Sequence, residues 1–485
     1  METSWLLAVL LVPAAGTILI TLAGQKHANL REAITVITSL LLFACVMQLY
    51  GDIHQPAHQI LKIAEPLNGL VIALVVEPLG MLFGIVCSFL WIITSIYSIG
   101  YMRAHHEKNL TRFYACFALA IAATMGVAFS ANMFSMFIFY ELLTLVTYPL
   151  VTHSGTTEAK KAGRLYLGYL LGTSIGLQLL AIVGVWSIAG TLDFRSGGVF
   201  GHDVSSAMIL ALYLLFIFGI GKAAVMPVHR WLPAAMVAPT PVSALLHAVA
   251  VVKAGVFCIL KITVYLFGID VLMNAGVNHW VVYIAGATII IASLIALTKN
   301  NLKARLAYST ISQLSYVVMG TVILAPVSIL AAALHIAVHA FGKITLFFSA
   351  GSIYISTHKT DVSELNGVGH YMPWTMSAFA IGSISMIGVP PAAGFLSKWY
   401  LLQGALSMQQ WFAVIVVVLS TLLNGAYFLP IVYRAFFLKP DNPEDHSYGE
   451  SPLLMVSALM VCAIGTVLIF LFPQRIIDLI KLIAI

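Results

Sequence analysis

Leu210-Ala-Leu-Tyr-Leu-Leu-Phe-Ile-Phe-Gly-Ile-Gly-Lys222 runs through an apolar stretch straight into a lysine, and Pro227 follows shortly after. A charge at bilayer depth costs between about 2.5 and more than 10 kcal/mol, so it is retained where it pairs or lines a wet cavity. Proline removes an intrahelical hydrogen bond and opens a helix, which a membrane tolerates only where the freed backbone faces protein or water. The segment therefore reads as a membrane helix interrupted beside a buried charge. Gly388-Val-Pro-Pro-Ala-Ala-Gly-Phe-Leu-Ser-Lys398 has the same layout. Two interrupted spans at corresponding places in two halves are the pattern of an inverted-repeat transporter.

The rest of the chain supplies the membrane frame. Of 485 residues 61% are hydrophobic and only 9% charged, with a mean hydropathy of +0.99, which excludes a soluble enzyme and predicts an all-α polytopic membrane protein. Apolar windows of the length that crosses a hydrocarbon core recur about fourteen times. They run from Ser4 to Leu22, Ile34 to Tyr50, Leu70 to Tyr97, Phe113 to Phe129, Met133 to His153, Leu165 to Ala189, Ser206 to Pro227, Val242 to Phe267, Trp280 to Leu297, Leu306 to Leu324, Val327 to Ile355, Trp374 to Leu406, Trp411 to Phe437 and Leu453 to Phe472. The first lacks a basic start and a small-residue cleavage site and reads as a retained helix. Of the 24 Lys and Arg residues, fifteen fall in loops after odd-numbered spans, among them Arg103, Lys160, Lys161, Arg230, Lys303 and Arg434, and five in the remaining loops and C-terminus. Positive loops face the cytoplasm, which puts both termini outside, as in a bacterial or archaeal inner-membrane protein. The net charge of +6 is this bias and calls for no nucleic acid partner.

Cys45, Cys87, Cys116, Cys258 and Cys462 fall singly in different spans, with no Cys or His spacing for a metal or cluster and no glycine-rich phosphate loop. No cofactor is expected, and what remains is movement of an ion or solute. Glu141, Lys222, Lys253, Lys343 and Lys398 lie inside apolar spans, and a helix–helix ion pair is the competing reading for each. In the eleventh span His335, His339 and Lys343 recur every fourth residue, about 6 Å apart along one face. This is a ladder that single waters can bridge, and histidine both takes and gives a proton near neutrality. Glu141 and Lys222 are expected to pair as a proton switch, with Lys253, the ladder and Lys343 leading to Lys398. Lys261 reads as a snorkelling anchor, and the acidic stretch Asp441-Asn-Pro-Glu-Asp445, ending near Glu450, as a solvated connector without chemistry.

Several motifs carry a resemblance. Gly221-Lys-Ala-Ala-Val-Met-Pro-Val-His-Arg-Trp-Leu-Pro233, Ala238-Pro-Thr-Pro-Val-Ser-Ala-Leu-Leu-His247, Val252-Lys-Ala-Gly-Val256, Ser309-Thr-Ile-Ser-Gln-Leu-Ser-Tyr316, His339-Ala-Phe-Gly-Lys343 and the Gly388–Lys398 segment resemble the proton-conducting membrane subunits shared by respiratory complex I and Mrp-type sodium/proton antiporters. The D-type members of the Mrp set are most similar. The resemblance implies inverted five-helix repeats, spans four to eight and nine to thirteen. The chain then divides at residues 1–111, 112–267, 268–437 and 438–485. It implies that Glu141 and Lys222 pair, that Lys253 links the halves and that Lys398 ends the path. It implies other membrane subunits as partners, with protons and Na⁺ or another monovalent cation as cargo. His229-Arg-Trp-Leu-Pro-Ala-Ala235 departs from the family pattern, which has a neutral residue before Trp and Asp after Pro, and the missing acid bears on how the cytoplasmic proton entry is built; His229, Arg230 and His247 stand as accessory candidates. Complex I-like dehydrogenases, membrane-bound hydrogenases and inorganic-carbon uptake complexes use similar subunits. A membrane scaffold is the rival from another class, and an intramembrane enzyme lacks any nucleophile, ligand set or cofactor motif.

Overall fold

The computed structural model describes residues 2–54, 59–201, 203–440 and 449–483. The acidic run from Asp441 to Asp445 and the His247 side chain lie outside the described residues. Among the described residues ten helices are long and apolar enough to cross a membrane, and they are the spans one to six, nine, eleven, thirteen and fourteen: Glu2–Ala23, Ala28–Gly51, Pro78–Ala104, Leu110–Phe129, Met133–Val151, Thr157–Ala189, Val277–Thr298, Pro326–Thr357, Trp411–Phe437 and Leu453–Leu471. The other four are broken or polar. The seventh is Ser206–Gly219 followed by short turns, and the twelfth is Pro373–Ile387 plus Gly394–Ser407. In the eighth, α-helix Val251–Lys261 lies between π-helical turns Leu245–Val249 and Ile262–Phe267. The tenth, Leu302–Val322, is continuous but rich in Ser, Thr and Gln.

The eleventh span is the axis of the bundle. In its most apolar window 83% of residues are buried, against 33% for the first, sixth and fourteenth, which are peripheral. Tyr97 of the third span stacks on Phe348 at 3.8 Å between ring centroids, and its hydroxyl donates to the Phe348 carbonyl. Loops pair within the two sets that their basic content separates. Leu74 bridges Ser130 and Asn132 bridges Asp193 on the face poor in basic residues, whereas Asn301 bridges Asp361 on the basic face.

Three sequence expectations need correction. Leu70–Leu74 is not the start of the third span but the second strand of an antiparallel hairpin with Leu61–Leu67. A short apolar run has no periodicity to separate strand from helix, and here Glu77 and Pro78 are the N-cap and first residue of the span. The seventh span opens at Ile220, well before Pro227, so Lys222 sits in the break itself. Gly221 allows this, because a Cβ there would stand 2.3 Å from Thr173 Oγ1. Glu450 is no idle part of the connector: its carboxylate accepts from the Trp374 and Thr375 amides at 2.7 and 3.1 Å and so caps the twelfth span.

Candidate functional site: a buried polar line

The break of the seventh span places Lys222 against the fifth. Its backbone amide donates to the Tyr140 hydroxyl at 3.1 Å. Its ammonium donates to the Tyr140 carbonyl at 2.8 Å and to the Thr144 hydroxyl, over the Tyr140 ring. Trp231 Nε1 and the Ala224 amide both donate to the Gly221 carbonyl, each at 3.0 Å. Glu141 makes no direct ion pair with Lys222 among the described residues, but it lies within electrostatic reach of it. Tyr140 and Thr144 are one turn apart on one face, and Glu141 lies about 100° round the helix. Its side chain is half-buried at the flank of the bundle, with Oε1 enclosed and lacking a hydrogen-bond partner.

Gly255 brings the eighth span onto the same break. A Cβ there would stand 2.3 Å from the Ala223 nitrogen, so only glycine admits the approach. Two residues earlier, Lys253 is fully buried and its Nζ contacts His339 Nδ1 directly. This contact joins the eighth span to the eleventh.

From His339 two connections lead toward Lys398. His335 lies one turn back, 5.8 Å between ring centroids, and its Nδ1 shares a 2.8 Å hydrogen bond with Ser397, the neighbour of Lys398. Lys343 lies one turn on and donates to Ser309 of the tenth span at 2.8 Å. Tyr427 of the thirteenth span donates to Ser309 at 3.1 Å and contacts Asn424 Oδ1. Asn424 Nδ2 in turn reaches the Met386 carbonyl at 3.2 Å. That carbonyl also receives Lys398 Nζ and Gln313 Nε2, each at 3.2 Å. The three ladder groups thus face three different spans, because each four-residue step turns the helix about 40° past a full circle.

Lys398 ends the line on the C-terminal carbonyls of the first half of the twelfth span. Its Nζ donates to Ile387 O at 2.8 Å and Thr421 Oγ1 at 3.2 Å, and its charge meets the negative end of that half-helix. Gly388, at φ +87°, makes room, since a Cβ would lie 2.5 Å from the lysine stem. Lys222, Lys253, His339 and Lys343 are fully buried, with His335 and Lys398 nearly so.

Other expected residues stand apart. His229 is half-buried with its ring 6.3 Å from Tyr308, and Arg230 is exposed. Lys261 is not a snorkelling anchor: it is fully buried and ion-paired with Glu77. Composition could not show this, because its partner sits in the stretch read as the interior of the third span. Sequence reasoning alone misses Tyr140, Thr144, Ser309, Ser397, Asn424 and Tyr427 as site residues. Of these only Ser309 carries a sequence signal, the crowding of hydroxyls in the tenth span from Ser309 to Tyr316.

The transmembrane family profile described as NADH:quinone oxidoreductase/Mrp antiporter matches residues 130–424, which include every residue of this line except Tyr427. The chain belongs to that family. Subunit N of an NADH-quinone oxidoreductase from Desulforudis audaxviator is 31% identical over 84% of this chain and 83% of its own length. The chain spans about half the length of a chloroplast subunit 5 relative from Calycanthus floridus, of which it covers 49%. A chain of the Mrp complex from Dietzia sp. superposes with a TM-score of 0.85 over 100% of this chain and 97% of that one, at 20% identity. A chain of an archaeal membrane-bound sulfane sulfur reductase superposes at 0.87 over 98% and 96%, at 21% identity. These two show a shared fold, polytopic and mostly helical.

Proposed function

We propose that this chain is the proton-translocating subunit of a multisubunit cation/proton antiporter, the D-type member of an Mrp-like set. Protons move along Lys222, Lys253, His339, His335 with Lys343, and Lys398, coupled to transport of Na⁺ or another monovalent cation. Glu141, at the flank, joins when the Lys222 side chain swings toward it. The observation that carries the reading is the Lys253–His339 contact, which ties the Lys222 break to the hydrogen-bonded cluster around Lys398. Spans four to eight and nine to thirteen act as two inverted repeats, each with its lysine at a broken helix. The chain sits in a bacterial or archaeal cell membrane with both termini outside. It moves ions and performs no bond-making chemistry of its own, and His229, Arg230 and His247 serve the cytoplasmic mouth.

A second reading is favoured by the subunit N relative, which matches this chain over most of both lengths: a proton-pumping subunit of a complex I-like assembly. Reconstitution of the native assembly into vesicles separates the two. A Na⁺ or K⁺ gradient driving proton movement without redox substrate supports the antiporter, and movement only with electron transfer supports the second reading. Lys222→Ala and Lys398→Ala each abolish proton movement in either case; retention of transport by both variants would falsify the reading.

A further inference from the structure

Glu77 and Lys261 form a buried ion pair that the line above does not use. Lys261 closes the α-helical part of the eighth span, two turns beyond Lys253, and its ammonium also donates to the Ser130 carbonyl at 2.6 Å. Its side chain is fully buried, whereas that of Glu77, in the turn between hairpin and third span, keeps 13% exposure. The pair thus straddles the boundary between the dry interior and the face poor in basic residues. A charged pair is expensive to bury and its retention needs a reason.

Outward, beyond Phe194, lies a cavity of about 420 Å³, bounded also by Ala131 and Asn132; neither Glu77 nor Lys261 lines it. Phe194 both lines this cavity and covers the Lys261 ammonium, 4.7 Å from its ring centroid. Inward, Cys258 lies within electrostatic reach of both Lys261 and Lys222, and Gly255 on the same helix abuts the Lys222 break. The helix changes to a π turn at Ile262, directly after the lysine, a distortion that concentrates at functional positions. The other titratable or charged groups near the pair are Tyr265 and Cys258 on the eighth span, Lys62 on the hairpin, and Asp193 and Arg195 beside Phe194.

We propose that Glu77 and Lys261, under Phe194, are the proton exchange site of the first half on the face poor in basic residues. This rests on the proton-translocating reading. Lys261 passes a proton to the Glu77 carboxylate, leaving a neutral amine and a neutral acid. Glu77, the partly exposed member of the pair, releases that proton to water at this face, and Lys261 regains one from the interior; uptake is the reverse.

The test uses the intact assembly in oriented vesicles, with proton movement measured against the pH of the compartment facing this cavity. Glu77→Gln is expected to slow transport at least tenfold and to flatten that pH dependence, and Glu77→Asp to restore both. A well-assembled Glu77→Gln with the unaltered rate and profile overturns the proposal. Should Glu77→Gln fail to assemble, Phe194→Ala keeps the ion pair and widens its opening. A displaced pH midpoint in Phe194→Ala then supports the site, and an unchanged one overturns it. Lys222→Ala separates the two levels: if it is inactive while Glu77→Gln is normal, only the exchange site is wrong; if it is active, the reading beneath it is wrong.

Discussion

The ammonium of Lys222 rests on a carbonyl and a hydroxyl of one turn of the fifth span, with no carboxylate touching it. A hydrogen bond to a charged group is worth about 1.5–3 kcal/mol, so Thr144 is the cheapest handle on where this side chain sits. Thr144→Val is expected to slow proton movement by about tenfold or more, at about 1.4 kcal/mol per tenfold, and Thr144→Ser to restore it. A vesicle assay in which Thr144→Val matches the parent contradicts this. Tyr427 poses a different question, since it lies on one of two connections to Lys398 and the other runs through His335. Tyr427→Phe should therefore slow transport severalfold, and Tyr427→Phe with His335→Ala should abolish it. Equal rates for the single and double variants would show that the connections are not parallel.

At the scale of elements, two contacts hold the broken spans in place. Gly255→Ala puts a methyl group against the backbone of the Lys222 break, and overpacking of that kind costs about 1–3 kcal/mol. It should lower the thermal midpoint of the purified assembly and slow transport together. A neutral effect on both would mean that the break yields freely. Glu450→Gln weakens the cap on the twelfth span, with an expected loss of about 1 kcal/mol and little change in transport, read by thermal unfolding beside the vesicle assay. Both contacts explain what the sequence did and did not reveal. Long apolar windows exposed the spans because bilayer thickness dictates their length, and lysines inside those windows exposed the line because nothing else keeps a charge in oil. The hairpin was hidden because Leu70–Leu74 is as apolar as a helix start, and the Glu77–Lys261 pair was hidden with it. The fanning of His335, His339 and Lys343 toward three spans, and the lack of a direct ion pair between Glu141 and Lys222 among the described residues, depend on helix rotation. One-dimensional spacing fixes rotation within a helix but not between neighbours.

The whole molecule places its polar groups where its helices are broken or polar: the seventh, eighth, tenth and twelfth spans are the four that fail a simple test of length and hydropathy. The eighth, tenth and twelfth pack on the eleventh, which supplies the ladder, and the seventh packs on the eighth; the third and fourteenth complete the surround of the eleventh. A scaffold would have no use for this arrangement, since replacing a buried polar pair by apolar residues of similar size is often neutral or stabilising. The two readings therefore diverge most at the junction of the halves. Lys253→Leu with His339→Leu, introduced together and assayed as the intact assembly in vesicles, measures that divergence. Assembly at the parent level with proton movement abolished is the result predicted here, and assembly with proton movement retained would contradict it.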